Sequence, residues 1–374
     1  MVGVAARMLI DEPAKSVGTL IGVVVSVFLM MQQMSLLTGI QGRVTSFADL
    51  NDVDVWVASA ATESIDATGS LPERCVSQAA GTRGVAWAAP VIQGRGDVTR
   101  IDGVKEQVRV FGVEPPRYAG LPHALAPGSS PALLRAPGRV FLNSRDRASF
   151  GSLEPGDRIE ISGQVAIVAG FLEGMDPHSP YYYMFANIDD ARAYASFPPD
   201  RVTFVAVGVA PGESPEAVRD RLQERMPEVM VFTRRQLHDM ELRYFQNRTP
   251  VGVVFGMGTV LAALIGAGIV GVTLYSSVMD RLREFGTLKA IGASRSHLLR
   301  LLGAQAVLLS AAGYPLGLLA FALVRHLSGP SVSMPAPPWL LSSVAAATLL
   351  VCGAASAVAI RRVLRVEPAI VFRG

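Results

Sequence analysis

Charged residues are distributed very unevenly along this chain. Four long stretches contain no Lys, Arg, Asp or Glu, and they run over residues 16–41, 249–279, 301–324 and 327–360, the last with its apolar core from Trp339 onward. A helix needs ~20 apolar residues to cross the hydrocarbon core of a bilayer. One such stretch could be a buried helix of a soluble core, but four of them predict four transmembrane helices.

The first stretch differs from a secretory signal peptide. Its apolar run is longer than the ~7–15 residues of a signal h-region, and no small-residue cleavage site follows it. We therefore expect this segment to be retained as a membrane helix.

Lys and Arg beside the predicted spans indicate their orientation. Positive residues stand before helix 1, between helices 2 and 3, and after helix 4, whereas the turn 328–338 carries no charge. Cytoplasmic flanks of membrane helices are enriched in Lys and Arg. The bias predicts a multi-pass protein of the plasma (inner) membrane, with both termini and the loop 280–300 in the cytoplasm and residues 43–248 outside it.

The long segment between helices 1 and 2 has the pattern of a folded α+β domain. Short runs rich in Val, Ile and Phe, bounded by Gly, Pro and Asp, predict strands at 52–58, 84–91, 107–113, 139–143, 158–171 and 201–209. Asn187, Ser214 and Thr233 are candidate N-caps of three helices. The helix after Thr233 leads directly to membrane helix 2, so we expect it to be a stalk.

These patterns together predict a membrane all-α domain of four transmembrane helices with an inserted α+β extracytoplasmic domain. The predicted division is 1–42 for the N-terminus and helix 1, 43–248 for the external domain with its stalk, and 249–374 for helices 2–4 with the loop 280–300 and the C-terminal tail.

Composition and motifs exclude several kinds of function. The net charge is only +3, and no dense Lys/Arg block with interleaved aromatics is present, so no nucleic-acid partner is expected. The predicted topology separates Cys75 from Cys352, which predicts no disulfide between them. The sequence contains no cluster of Cys and His residues of the kind that forms a metal site. Since no GxxxxGK[ST] phosphate loop occurs, ATP-driven work requires another chain.

The external domain offers little sign of catalysis. His178 lies in the sequence MDPHSP, ahead of three tyrosines, but a hydrolase needs a nucleophile, a base and an orienting group that converge. A contact loop or an ordinary surface loop explains this segment better than catalysis does. His123 and His238 are isolated in the sequence and are expected to be solvated, so no catalytic residue is predicted.

Two membrane helices carry GxxxG spacing. Gly252 and Gly256 lie in helix 2, and Gly313 and Gly317 enclose Pro315 in helix 3. Small residues at this spacing let helix backbones approach closely in lipid. They predict helix packing, within the chain as the favoured interpretation or across a dimer as the alternative. No charged residue lies in mid-membrane, which argues against an ion-coupled transporter or a channel.

The loop between helices 2 and 3 is the most informative cytoplasmic segment. It reads DRLREFGTLKAIGASRSHLLR, and its apolar residues Leu282, Phe285, Leu288 and Ile291 recur on one helical face. Gly292 is a plausible helix terminator. The residues alone fit two interpretations equally, a docking surface for a partner protein and an interfacial helix that only anchors the topology.

The segment REFGTLKAIGAS within this loop closely resembles the cytoplasmic loop of MacB/FtsX-type ABC permeases, where R-E-x-G-x-L-x-A-I-G-A-S follows the second helix. The terminal VEPAIVFRG resembles the closing tail of that family more loosely, with Pro368 matching its proline. The N-terminal segment from ARMLIDEPAKSVG through helix 1 and the stretch DVDVWVAS look like the DevC-like branch.

The resemblance implies the permease subunit of an ABC-type exporter. Such permeases dimerise and pair with a separate ATPase subunit, which binds ATP and Mg, and ATP-driven motion reaches the external domain by mechanotransmission. DevC-like systems add a periplasmic adaptor and an outer-membrane duct where an outer membrane exists. The residues that the resemblance assigns to the ATPase-coupling helix are Arg283, Glu284, Phe285, Gly286, Leu288, Lys289, Ile291 and Gly292.

Three alternatives stay open. The same fold serves as a signal relay that regulates cell-wall hydrolases, as in FtsX proper, and as a lipoprotein-release permease. A stand-alone membrane sensor is the third. The large external segment favours export over the relay, and the coupling-like loop argues against the sensor.

Overall fold

The computed structural model describes residues 3, 13–100, 103–174, 182–280, 295–328 and 332–364. The chain divides into two compact units. One, made of Met1–Gly39 and Pro250–Gly374, is helical, and the other, Ile40–Thr249, is an α/β domain.

The helical unit contains four helices that are long and apolar enough to cross a membrane, which confirms the four predicted spans. Membrane helices 1 to 4 are Pro13–Val44, Val251–Asp280, Arg295–Ser328 and Pro338–Leu364. Helix 4 begins at Pro338 and not at residue 327, because helix 3 continues to Ser328 and proline is favoured at the start of a helix.

The described residues of the α/β unit form eleven strands and five α-helices. The strands are β1 Val55–Ser59, β2 Leu71–Pro72, β3 Val85–Thr99, β4 Lys105–Val113, β5 Arg139–Asn143, β6 Arg158–Ile161, β7 Gln164–Leu172, β8 Tyr182–Asn187, β9 Arg201–Val202, β10 Phe204–Val209 and β11 Val229–Thr233. The helices are α1 Ser46–Asp49, α2 Arg74–Ala80, α3 Ile188–Ala195, α4 Pro215–Arg225 and α5 Arg234–Arg248. Helix α5 is called the stalk helix below.

Nine of the strands form one sheet in the order β11-β1-β10-β3-β4-β8-β5-β7-β6. Strand β3 belongs to two parts of this sheet: its residues 85–91 pair with β10, and its residues 92–99 pair with β4. Val98 of β3 also pairs with Ile161 of β6, which closes six strands into a ring. We call this ring the barrel lobe, and the part formed by β11, β1, β10 and the start of β3 the sheet lobe.

The core of the α/β unit lies on both faces of the central strands. Val55 and Val57 of β1 pack with helices α2 and α4 on one face, whereas Trp56 points to the other. There Phe47 lies 5.1 Å from Trp56 and 5.2 Å from Phe111, centroid to centroid. Because both faces are covered, β1 reads as a continuous apolar run and not as an alternating one.

Local signals located three helix starts correctly. Asn187 Oδ1 accepts from the Asp190 N–H at 2.9 Å, and Ser214 Oγ accepts from the Ala217 N–H at 3.2 Å. At Thr233 a complete capping box is present. The Thr233 side chain accepts from the Gln236 N–H, and the Gln236 side chain accepts from the Thr233 N–H. The prediction of a single strand over 158–171 is wrong: β6 and β7 are separate strands of a hairpin.

Candidate functional site

The predicted ATPase-coupling residues lie outside the described part of the chain. Membrane helix 2 ends at Asp280 and helix 3 begins at Arg295. The coupling role therefore stays a prediction for Arg283, Glu284, Phe285, Gly286, Leu288, Lys289, Ile291 and Gly292.

An ion pair joins the start of membrane helix 1 to the end of membrane helix 2, next to this loop. Lys15, at the start of membrane helix 1, pairs with Asp280 at the end of membrane helix 2. Both side chains are more than a third exposed, so the pair contributes at most about 1 kcal/mol. It nevertheless brings the N-terminal end of helix 1 to the residue where the predicted coupling loop begins.

The two GxxxG pairs have different surroundings. A Cβ built at Gly313 would overlap the Val23 side chain, and one at Gly317 would lie 2.6 Å from Val27 Cβ. Membrane helix 3 thus approaches helix 1 closely at both glycines. At Gly252 and Gly256, no neighbouring atom of the described chain lies within 4 Å of such a Cβ.

Membrane helix 2 presents an apolar face with no covering from the described chain. Val253, Met257 and Leu264 are each more than 60% exposed, and Gly252 and Gly256 lie beside them on the helix. This face is available to lipid or to a second copy of the chain.

The stalk helix is bound to the segment that follows membrane helix 1. His238 Nδ1 lies 2.9 Å from Asp49 Oδ1, and Thr45 Oγ1 donates to Asp49 Oδ2 at 2.8 Å. His238 keeps 33% of its side chain exposed, so it stays partly solvated while its ring contacts Asp49. His123 is half-exposed, with Nδ1 4.0 Å from Asp52.

A buried carboxyl lies in the middle of the stalk helix. Glu241 is 1% exposed, and its Oε1 accepts from the backbone N–H of Ile65 at 2.7 Å. Burial raises the pKa of Glu241 from its ordinary value of 4.5 to about 8, the Ile65 N–H lowers it, and the charge of Asp66 raises it further. A pKa of about 8 leaves the side chain mostly protonated at pH 7.

Asp66, the neighbour of Ile65, connects to the barrel lobe. Its carboxylate accepts from Tyr183 Oη at 3.0 Å and from Gln93 Nε2 at 3.2 Å, and Arg109 Nε lies 3.5 Å away. Arg109 is only 5% exposed, so its charge requires a nearby anion. Burial, followed by the charge of Asp66, raises the pKa of Tyr183 and keeps its hydroxyl protonated as a donor.

Sequence reasoning missed this buried network. The helix RRQLHDMELRYFQNR is strongly polar, and a glutamate within it reads as a solvated residue. The available signal was the spacing of Leu237, Glu241 and Phe245, which places Glu241 on the buried face at i and i+4.

The clefts found among the described residues of the α/β unit show no arrangement typical of catalysis. The clearest one has a volume of about 460 Å³ and is lined by Trp87, Arg117 and His123 among others, with Arg117 stacked 5.6 Å from the Trp87 ring. Among the residues described, no group of three or more His, Cys, Asp and Glu could hold a metal ion. The MDPHSP segment with His178 lies outside the described residues.

Comparison with known families identifies the chain. Residues 16–225 match the family described as MacB-like periplasmic core domain, and residues 256–368 match FtsX-like permease C-terminal. The first match alone spans more than half of the chain. The protein belongs to the MacB/FtsX-type ABC transporter permeases. The resemblance found in the loop motif is thereby confirmed for the family as a whole, while the DevC-like branch stays a prediction.

Two sequence relatives are described as ABC transporter permeases. An uncharacterized ABC transporter permease of Mycobacterium tuberculosis (strain ATCC 25618 / H37Rv) is 24% identical over 344 residues, 91% of this chain and 90% of the relative. Another, from Mycobacterium bovis, is 33% identical over 129 residues, 33% of this chain and 36% of the relative.

Two solved structures are similar to part of this chain. The extracellular domain of the noncanonic ABC-type transporter YknZ from Gram-positive bacteria has a TM-score of 0.35 and 14% identity, covering 48% of this chain and 98% of that one. The periplasmic region of MacB from Actinobacillus actinomycetemcomitans has a TM-score of 0.37 and 11% identity, covering 57% and 99%.

Proposed function

We propose that this permease is the membrane subunit of an ABC-type exporter and that it works by mechanotransmission. A separate ATPase subunit binds ATP and Mg, and its closure moves the membrane helices, which in turn move the extracytoplasmic α/β unit. This chain itself holds no cofactor and is not an enzyme.

The continuity of the chain from membrane to stalk carries the proposal. Only Thr249 and Pro250 separate the stalk helix, which ends at Arg248, from membrane helix 2, which begins at Val251. A connection this short limits how far the ends of helix 2 and the stalk helix can separate, because two residues reach at most ~7 Å when fully extended. Movement of helix 2 is therefore passed to the stalk helix.

The Lys/Arg distribution supports the orientation. Both termini and the loop 280–300 face the cytoplasm, where the ATPase is, and residues 43–248 face outward. The uncovered face of membrane helix 2, with Gly252 and Gly256, supports a permease homodimer. A periplasmic adaptor and an outer-membrane duct complete the exporter where an outer membrane exists.

A double substitution in the coupling loop tests the assignment. Phe285→Asp with Leu288→Asp replaces two apolar residues of the predicted docking face with charges. We expect recruitment of the ATPase and ATP-dependent transport to fall at least tenfold while the permease still inserts into the membrane. Val165→Asp serves as the control, since Val165 is an exposed residue of the extracytoplasmic unit.

Retention of both ATPase recruitment and transport by the double variant would show that the loop is not the coupling site. The nature of the external partner then separates export from the alternatives: an adaptor indicates export, and a cell-wall hydrolase indicates a signal relay.

A further inference from the structure

The loop between β1 and β2, residues 60–70, contacts two different parts of the α/β unit through adjacent residues. We propose that Glu241 and the adjacent residues Ile65 and Asp66 form a joint that transmits movement of the stalk helix to the barrel lobe. The inference rests on the proposed mechanotransmission and deepens it by naming the residues that carry the motion beyond the stalk.

On the stalk side, the joint is a buried hydrogen bond. The Ile65 N–H donates to Glu241 Oε1 at 2.7 Å, and Ile65 is itself buried. A second, exposed contact joins the same loop to the end of the stalk, where Arg248 Nη2 donates to Glu63 Oε2 at 3.0 Å. Exposed pairs contribute little, so the Glu241 bond is the stronger attachment.

On the barrel side, Asp66 reaches three neighbouring strands. Gln93 belongs to β3, Arg109 to β4 and Tyr183 to β8, and these strands are adjacent in the sheet. A displacement of Asp66 therefore acts on half of the ring at once and not on a single side chain.

The loop between these two attachments is compact. Thr62 and Thr68 are bonded through their hydroxyl groups at 2.8 Å, and Glu63 N–H donates to the Ala67 carbonyl at 2.9 Å. Ser64 is buried and accepts from the Ala67 N–H. Because Ile65 and Asp66 are consecutive residues of an internally bonded loop, a shift of Glu241 is passed on to Asp66 and is not taken up by loop bending.

Spin-label distances in the full-length protein in lipid nanodiscs test the joint. One nitroxide is placed at Gln246→Cys on the stalk helix and one at Val165→Cys on β7 of the barrel lobe, both exposed positions. The native Cys75 and Cys352 are buried, so labelling under native conditions is selective. The measured quantity is the width of the distance distribution.

Three variants distinguish loss of the joint from a general effect of substitution in the stalk helix. Glu241→Ala removes the acceptor, Glu241→Gln keeps an acceptor oxygen, and Asp239→Ala removes an exposed carboxylate from the same helix. We expect Glu241→Ala to broaden the distribution at least twofold and the other two to leave it unchanged. An unchanged width in Glu241→Ala would overturn the joint.

Asp66→Asn provides a second route if Glu241→Ala does not fold. It keeps the Glu241 bond but removes the charge that holds Arg109, and the same broadening is expected. Adding the purified ATPase with ATP separates the two proposals. If ATP produces no distance change in the unsubstituted protein, mechanotransmission fails, whereas the ATP-free widths still decide the joint.

Discussion

The stability of the α/β unit is expected to fall as the pH rises, because of Glu241. Its pKa is raised to about 8 in the folded protein from an ordinary 4.5, so the folded state holds a proton that the unfolded chain releases between these values. The contribution to stability is fully present below pH 4.5 and is lost as the pH rises to about 8.

The expected magnitude follows from the size of the shift. A displacement from 4.5 to about 8 at about 1.36 kcal/mol per pH unit gives roughly 5 kcal/mol over the whole window. Between pH 5.5 and 7.5 the free energy of unfolding should fall by roughly 2–3 kcal/mol through this group alone. Glu241 is 1% exposed, so solvent screening reduces this figure little.

Glu241→Gln isolates the effect because glutamine does not titrate but keeps an acceptor oxygen for the Ile65 N–H. Urea unfolding of the full-length chain in detergent, followed by tryptophan fluorescence at pH 5.5, 6.5 and 7.5, gives the free energies. The difference between the unsubstituted protein and the variant should change by roughly 2–3 kcal/mol across this range.

The comparison also removes contributions from other groups. Burial raises the pKa of Asp190 and hydrogen bonding from Arg221 lowers that of Glu213, but both carboxyls are present in both proteins. Asp239→Asn, on the same helix, is the matched control and should follow the unsubstituted protein. Parallel pH profiles for the unsubstituted protein and Glu241→Gln would refute the assignment of a buried, protonated Glu241.

Two further predictions concern packing. Gly313→Leu should cause the protein to misassemble or to lose at least 10 °C in thermal midpoint, because its side chain would overlap Val23. Gly252→Leu should lower the midpoint by much less, because its Cβ meets no atom of the described chain, and equal effects of the two would contradict the packing described. Phe111→Ala should cost about 3–5 kcal/mol in urea unfolding, since Phe111 is fully buried and stacks 4.9 Å from Phe185; a loss below 1 kcal/mol would contradict the aromatic core.

The membrane helices could be predicted from the sequence because the absence of charge over twenty or more residues is a direct requirement of the bilayer core. The helix starts at Ser214 and Thr233 were equally accessible, since caps and capping boxes are local. The division of 158–171 into β6 and β7 also depends on local residues. Ser162 and Gly163 both have positive φ, as a tight hairpin turn requires.

The candidate site could not be predicted because it depends on distant pairings. Strand β3 was predicted to end at residue 91, yet it continues to Thr99 because the segment VIQGRGDVT finds β4 as a partner. Glu241 is buried by Ile65, which lies 176 residues earlier in the chain. Helical periodicity shows which residues share a face, but it does not show what covers that face.

The central claim is that this permease works with a separate ATPase, and affinity purification from native membranes tests it most directly. The tagged full-length chain is extracted in mild detergent after cross-linking, and the proteins that accompany it are identified by mass spectrometry. The account predicts a Walker-type ATPase that is retained by the unsubstituted chain and by Val165→Asp but lost with Phe285→Asp and Leu288→Asp. Purification of the chain without any ATPase would contradict the account and make a stand-alone membrane sensor the better interpretation.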